Sequence, residues 1–418
     1  MSGIAELMQD KGYKIQGSDI SFNENSERLE KKGIKFFLGH SKKNISSVDA
    51  VIYSSAIKKN NPEIKEAINK KIPLLSRADM LAELMKNKKS IAIAGSHGKT
   101  TTTSLVGNIL DQAKLDPTIV NGGIINSYSK NNRFGKGKWM VVEADESDGS
   151  FLKLPHELSI ITNLDIEHLD YYKSKEKLFD AFKEFINKLP FYGTSVICKD
   201  DKNLRKLLSK INTRKILTYS IKNTKADFLI YDIIRYSKKT VFKIKSNNKI
   251  NKFDKNNSIF TINAIGNHNI LNATASIIVA NLVGINYKYI DQALKNYIGV
   301  KRRFTNLGSK NLATVYDDYA HHPTEIKATV DAAKILKKEL IVIFQPHRYS
   351  RTKILINDFV KVLSKINNLI LLNTYSAGEK KIKGFGSIDL YKKLKVKNKN
   401  ITYLSHNNKL NNLLIKYT

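Results

Sequence analysis

The chain has 418 residues, 41% of them hydrophobic, which is too long for one ordinary core and predicts two or three domains. Its single cysteine, Cys198, excludes an internal disulfide framework, and neither a signal peptide nor an apolar run long enough to cross a bilayer is found, so a reducing cytoplasm is the expected compartment. The net charge of +33, from 71 Lys+Arg against 38 Asp+Glu, is mostly lysine dispersed through every segment; dispersed charge makes no stripe, so no nucleic-acid and no membrane partner is expected.

Between residues 13 and 75, short apolar runs such as 48–53 alternate with charged helical stretches at 27–32 and 63–70, the pattern of a small α/β domain. A helix over 77–86 and a basic stretch at 86–89 close this region, and the first domain boundary is placed at 88/89. The apolar run 91–94 then leads into Gly95-Ser96-His97-Gly98-Lys99-Thr100-Thr101-Thr102. That order is a strand, a phosphate-binding loop and a helix. Glycines let backbone N–H groups close around phosphate oxygens, Lys99 can reach the β/γ-phosphates of a nucleoside triphosphate, and the Thr100 hydroxyl can join a Mg²⁺ shell. The usual spacing places a glycine five residues before Gly98, where this chain has Ile93, so the loop is a shortened variant.

Strands are expected at 139–142 and 158–162 and a helix at 175–188. The first strand ends in Glu143-Ala144-Asp145-Glu146-Ser147-Asp148. A carboxylate at the carboxyl end of a buried strand beside a phosphate loop is where an α/β sheet holds a metal, so Glu143 is the expected Mg²⁺ ligand. The second ends in Thr162-Asn163-Leu164-Asp165-Ile166-Glu167-His168, and His168 could ligate a second metal, approach the triphosphate or be structural. Alternating runs at 228–234, 240–244 and 258–262 predict antiparallel strands added to the sheet. Gly266-Asn267-His268-Asn269 precedes a helix over 270–282.

From about residue 299 a third α/β unit is expected, with strands at 313–316, 340–344 and 369–372. It carries Lys301-Arg302-Arg303-Phe304, Asp317-Asp318-Tyr319-Ala320-His321-His322-Pro323, and Gln345-Pro346-His347-Arg348-Tyr349-Ser350-Arg351. A guanidinium can stabilise the charge that develops in phosphoryl transfer, and two arginines with a histidine at a strand end can clamp a carboxylate.

Seven segments in this order, 95–102, 143–150, 162–172, 266–274, 301–304, 316–324 and 344–352, resemble the Mur ligase family across most of the chain. The last two resemble its alanine-adding branch. The resemblance implies an α/β, three-domain architecture: a Rossmann-like UDP-sugar domain over 1–88, a central phosphate-loop ATPase domain over 89–298, and a Rossmann-like closing domain over 299–418. It implies ATP-dependent ligation of L-alanine to the lactyl carboxylate of UDP-N-acetylmuramate through an acyl phosphate, in peptidoglycan precursor synthesis, with domain closure excluding water.

By the same resemblance, the phosphate loop 95–101 and Lys99 bind ATP; Thr100 and Glu143 hold one Mg²⁺, and His168 a second. His268, Asn269 and Asn272 lie at the adenine, Asp318 at the ribose, and Arg303 and His321 near the transferring phosphoryl group. Tyr319, His347, Arg348 and Arg351 hold the alanine carboxylate, and Asp19, His40 and Ser55 are candidates for the UDP-sugar. The implied protein is a monomer or weak homo-oligomer. A strand and Gly-rich turn are expected ahead of Met1-Ser2-Gly3-Ile4-Ala5-Glu6, and a further strand after the strand 401–404 and its helical tail. Competing readings are a sister ligase joining a recycled peptide to the same UDP-sugar, a nucleic-acid-stimulated ATPase, and a degenerate relative kept for sensing or assembly.

Overall fold

The computed structural model describes residues 1–212, 214–247, 259–310, 313–397, 400–405 and 410. The chain divides into two units, Met1–Ile233 with Val241–Asn263 and Leu271–Val300, and Ile234–Thr240 with Ala264–Ile270 and Lys301–Thr418.

The first unit opens with α1 (Ser2–Asp10), β1 (Gln16–Asp19), α2 (Glu24–Lys31), β2 (Lys35–Leu38), β3 (Val51–Tyr53), α3 (Pro62–Asn69), β4 (Leu74–Ser76) and α4 (Arg77–Met85). Helix α1 buries Ile4, Leu7 and Met8, the i, i+3, i+4 stripe of an amphipathic helix. Helix starts follow local capping chemistry: the Asn23, Asn61 and Ser76 side chains accept backbone N–H groups of the first turns of α2, α3 and α4, satisfying donors that have no partner within the helix. Strands β1 and β2 pair in parallel, as do β3 and β4, in two separate two-stranded sheets.

The rest of the unit is built on β5 (Lys89–Ala94), α5 (Lys99–Gln112), β6 (Thr118–Ile125), β7 (Lys130–Arg133), β8 (Trp139–Glu143), β9 (Leu158–Ile161), α6 (Leu169–Tyr172), α7 (Lys175–Asn187), β10 (Thr194–Cys198), α8 (Lys202–Leu208), β11 (Lys215–Ser220), β12 (Phe228–Arg235), β13 (Thr240–Ser246), β14 (Ile259–Ile262), α9 (Asn267–Val283) and α10 (Tyr287–Lys295). Ten strands form one sheet in the order β14-β13-β12-β11-β10-β9-β5-β8-β6-β7. β5 lies between β8 and β9, parallel to both, with Ile93 opposite Glu143 and Ala94 opposite Ile161. The carboxyl end of β5 is therefore flanked by two strand ends, the crevice where open α/β sheets bind ligands. Ile91, Ala92, Ile93 and Ala94 are wholly buried, which explains their uninterrupted apolar run.

The strands expected as antiparallel additions do join the sheet, but the first of them is not antiparallel to the strand it extends. β12 enters parallel to β11, and β13 and β14 follow it at the sheet edge; residue 258 lies outside the described residues. Helix α9 starts at Asn267, three residues before the expected Ile270. Strands β6, β7, β10 and β11 had no counterpart in the sequence reading.

The second unit holds β15 (Thr305–Lys310), β16 (Ala313–Asp317), α11 (Pro323–Lys334), β17 (Ile341–Phe344), α12 (Tyr349–Leu363), β18 (Asn368–Leu372), α13 (Ser387–Lys395) and β19 (Ile401–Leu404). β15 and β16 form an antiparallel hairpin, while β17, β18 and β19 make a parallel sheet with β18 central. Its core gathers Ile326 and Val330 of α11, Phe359 and Leu363 of α12, Leu371 of β18 and Leu390 and Leu394 of α13. The expected tail beyond residue 404 lies outside the described residues save 405 and 410. No helix among the described residues is long and apolar enough to cross a membrane.

Candidate active site

The phosphate loop joins β5 to α5. Gly95 and Gly98 have φ of +129° and +81°, conformations that glycine tolerates without a side-chain penalty. A Cβ on Gly95 would lie 2.2 Å from Thr162 Oγ1, and one on Gly98 2.8 Å from Asn272 Oδ1. The loop is tied to the segment after β9: the Ser96 N–H donates to the Asn163 carbonyl (3.2 Å), the His97 N–H to Asn163 Oδ1 (2.8 Å), the Thr162 hydroxyl to the His97 carbonyl (2.6 Å), and the Asp165 N–H to Ser96 Oγ (2.8 Å). His97 Nε2 lies 2.9 Å from Asp165 Oδ2. Thr101 follows in the first turn of α5, half-buried.

Lys99 is largely buried and ion-paired with Glu146 at 2.8 Å, whose own side chain is 1% exposed. Its ammonium also donates to the Gly95 carbonyl at 2.7 Å. Burial alone would push the Lys99 pKa down; Glu146, with Asp145 and Glu143 adding, outweighs it and leaves the lysine firmly protonated. The Thr100 hydroxyl donates to Glu143 Oε1 (3.1 Å), and the Gly122 N–H to Glu143 Oε2 (2.6 Å). Burial raises the Glu143 carboxyl despite the opposing Lys99 charge. His168, at φ +56°, puts Nε2 3.8 Å from Glu146 and 3.9 Å from Glu167.

Two oxygen-bearing groups therefore meet at Thr100 and Glu143, and Glu146, Glu167 and His168 offer ligand atoms within 4.8 Å of one another. Hard carboxylate and hydroxyl oxygens suit Mg²⁺. Sequence reasoning brought Lys99, Thr100, Glu143 and His168 to this region and overlooked Glu146. Its position three residues after Glu143, directly beyond a buried strand, was the available signal.

Around the N-terminal strands, the Glu63 carboxylate accepts the Ser18 hydroxyl (2.8 Å) and the Asn44 side-chain amide (2.7 Å), and its Oε2 lies 3.2 Å from His40 Nδ1. Glu63 was not singled out from the sequence, although Asn61-Pro62-Glu63 has the form of a helix start with an acidic first turn. Asp19 ends β1 in an exposed position, where its side chain accepts the Ser21 N–H at 3.4 Å. Ser55 lies in an exposed turn, and its side chain adds to Ser150 in holding the Asp148 carboxyl below its usual range against burial.

In the second unit, Arg303 lies 3.7 Å from Glu325 Oε1, while Glu325 Oε2 lies 3.6 Å from His321 Nδ1 and accepts the backbone N–H groups of His321 and His322. The His321 Nδ1 sits 2.8 Å from the Tyr319 carbonyl, a contact that makes Nδ1 the protonated nitrogen and Nε2 the acceptor. Burial lowers the His321 pKa to about 4, reinforced by Arg351 and opposed by Glu325. His268 is brought to about 4 in the same way, by burial and then Arg303. Asp318 accepts the Ala320 and Phe304 N–H groups at 2.7 and 2.8 Å.

The Tyr319, His321 and His347 rings form one cluster, with His347 centred 6.3 and 5.8 Å from the other two. Arg351 approaches His347 Nδ1 at 3.1 Å. Arg348 begins α12 at φ +71° and ψ +135°. Asn269 donates its amide to the Ile265 carbonyl (2.8 Å), and the Asn272 amide abuts Gly98. Glu325 escaped the sequence reading; the His322-Pro323-Thr324-Glu325 capping box was its signature.

Three family models match the chain: the Mur ligase family catalytic domain at residues 1–89, the Mur ligase middle domain at 93–280 and the Mur ligase glutamate ligase domain at 302–416. The chain is similar to the UDP-N-acetylmuramate–L-alanine ligase of Rickettsia felis, 48% identical over 410 residues that cover 96% of this chain and 84% of the relative. It is 46% identical over 386 residues to the enzyme of that name from Methylobacterium radiotolerans, covering 92% and 82% of the two chains. Among solved structures, the UDP-N-acetylmuramate-alanine ligase of Thermotoga maritima superimposes with a TM-score of 0.81 at 28% identity, over 98% of this chain and 89% of that one.

Proposed function

The chain belongs to the Mur ligase family, and from that premise we propose that it joins L-alanine to the lactyl carboxylate of UDP-N-acetylmuramate at the expense of ATP, a step of peptidoglycan precursor synthesis in the cytoplasm. The observation that carries this reading is the second-unit cluster of Tyr319, His321, His347 and Arg351, on a chain 48% identical to an alanine-adding relative.

Each chemical need has a residue. The α5 N-terminus and the Lys99 ammonium receive the triphosphate. Thr100 and Glu143 would hold one Mg²⁺, and Glu146, Glu167 and His168 a second; Mg²⁺ supplies charge neutralisation for phosphoryl transfer. Lys99 and Glu146 neutralise each other until phosphate arrives, so nucleotide binding exchanges one partner of a buried pair for another. Arg303, paired with Glu325, supplies a guanidinium for the transferring phosphoryl group.

L-alanine arrives as an ammonium and must lose a proton before its nitrogen can attack the acyl phosphate. That proton is left to solvent, since burial makes His321 too weak a base to hold it; His321 would stand near the transferring phosphoryl group, where the lone pair that its Nδ1 contact leaves on Nε2 can accept a hydrogen bond from the amine. The Arg351 and Arg348 guanidinium groups would bind the alanine carboxylate, and Tyr319 and His347 would wall the site. His40, held through Nδ1, would contact the UDP-sugar, with Asp19 and Ser55 as further candidates. His268, Asn269 and Asn272 would serve the adenine and Asp318 the ribose.

The test is phosphate release by the purified protein with Mg²⁺-ATP and UDP-N-acetylmuramate, with and without L-alanine, the product identified by mass. Release that needs both substrates and a product heavier by one alanyl residue is the expected result. Release driven by a peptide in place of alanine, or by nucleic acid, would overturn it.

A further inference from the structure

Helix α12 carries Arg348 and Arg351 at its start yet has no side chain of its own capping its N-terminus. The missing acceptor comes from about thirty residues further along the chain. Glu379 accepts the Ser350 N–H (3.0 Å) and the Ser350 hydroxyl (2.6 Å) with its two carboxylate oxygens, a bidentate, charge-assisted cap at the positive end of a helix.

Glu379 reaches that position through a turn shaped for it. Ala377 and Gly378 have φ of +49° and +83°, and the Glu379 N–H returns to the Ser376 carbonyl (3.0 Å). The same segment grips the loop ahead of α12: the Tyr375 N–H donates to the Pro346 carbonyl and the Arg348 N–H to the Tyr375 carbonyl, both at 2.8 Å, while Gln345 donates its side-chain amide to the Asn373 carbonyl (3.0 Å). His347 and Tyr375 rings lie 5.3 Å apart. Between these ties sits Arg348, a residue with a Cβ in a positive-φ conformation that persists only when its surroundings over-determine it.

We propose that Glu379 is a positioning residue for the carboxylate clamp: by capping α12 and standing beside Arg348 it holds Arg348, His347 and Arg351 in their binding orientation. It touches no substrate. This rests on the reading of those residues as the alanine carboxylate site. The Glu379 carboxyl, raised by burial but lowered more by Ser350 and the Arg348 charge, is ionised at neutral pH.

The experiment is steady-state kinetics of Glu379→Ala, Glu379→Gln and Arg351→Ala, varying each substrate in turn and following melting temperature. Glu379→Ala should raise the KM for L-alanine about tenfold or more, with the KM for ATP and for the UDP-sugar unchanged. Glu379→Gln keeps the shape and an acceptor and should restore most of the loss. If Arg351→Ala raises the alanine KM and Glu379→Ala does not, the positioning role is overturned while the clamp reading stands. If Arg351→Ala leaves the alanine KM unchanged, the clamp reading itself fails. Should Glu379→Ala not fold, Ser350→Ala decides, because it removes the hydroxyl that Glu379 accepts: a rise in the alanine KM alone supports the role, and an unchanged alanine KM or equal shifts in all three KM values overturn it.

Discussion

Two loops in this molecule have the same plan and different materials. Each leaves the carboxyl end of a parallel strand and enters a helix, and each is fastened to the segment that follows the neighbouring strand: residues 95–98 to 162–165 after β9, and residues 345–348 to 373–379 after β18. The phosphate loop places glycine at its positive-φ positions, Gly95 and Gly98, while the second loop places Arg348 there. Glycine makes the first loop's shape nearly a local property of the sequence. The second keeps a guanidinium where glycine would be easiest, at a conformational cost of about 1–3 kcal/mol, and depends on contacts from distant residues to hold it.

The largest effect should come from giving the first loop a side chain. Gly95→Ala puts a Cβ within 2.2 Å of Thr162 Oγ1 at φ +129°, so kcat/KM for ATP should fall by about 10²-fold or more, since misplacement on the order of 1 Å suffices for that. Turnover within a few fold of wild type would show that the loop needs no glycine there. In the N-terminal region, Glu63→Ala removes the shared acceptor of Ser18, His40 and Asn44; the KM for UDP-N-acetylmuramate should rise about tenfold while that for alanine stays put.

The converse change in the second loop separates strain from binding. Arg348→Gly should melt at a higher temperature than Arg348→Ala, by a stability difference of about 1 kcal/mol, although both lose alanine affinity. Equal melting temperatures would mean that the loop stores no strain. A further effect is expected from acid. His268 and His321 titrate near 4 against a usual 6.5, so the folded state binds fewer protons than the unfolded one between these values. Their stabilising contribution is full above 6.5 and is lost as pH falls through 4. Melting temperature should drop between pH 7 and pH 5, and His268→Asn should flatten part of that slope.

The amino-acid sequence was sufficient to find the β5 loop, the Glu143 strand end and the polar clusters of the second unit, because each is a contiguous run placed at a strand end by hydrophobic patterning. The four acidic residues that organise these clusters were harder to find. Glu63, Glu146, Glu325 and Glu379 each look, in sequence, like a solvated charge near a turn. What sets them apart is partners brought from elsewhere: Lys99 lies 47 residues before Glu146, and Ser350 lies 29 before Glu379. Strands β6 and β7 escaped for a related reason, since the hairpin carries few alternating apolar residues in β7 (Lys130–Arg133) and is held by pairing in the sheet.

The sequence by itself determined the family, the strand ends that carry the polar clusters and the residue types available for phosphate, metal and carboxylate binding, since period and local turn chemistry are written within a few neighbouring positions. Only the tertiary structure decided which carboxylate faces Lys99, which nitrogen of His321 keeps its lone pair and what holds Arg348 in place. Charge pairing, burial and hydrogen bonding act across space, and separation along the chain does not encode them.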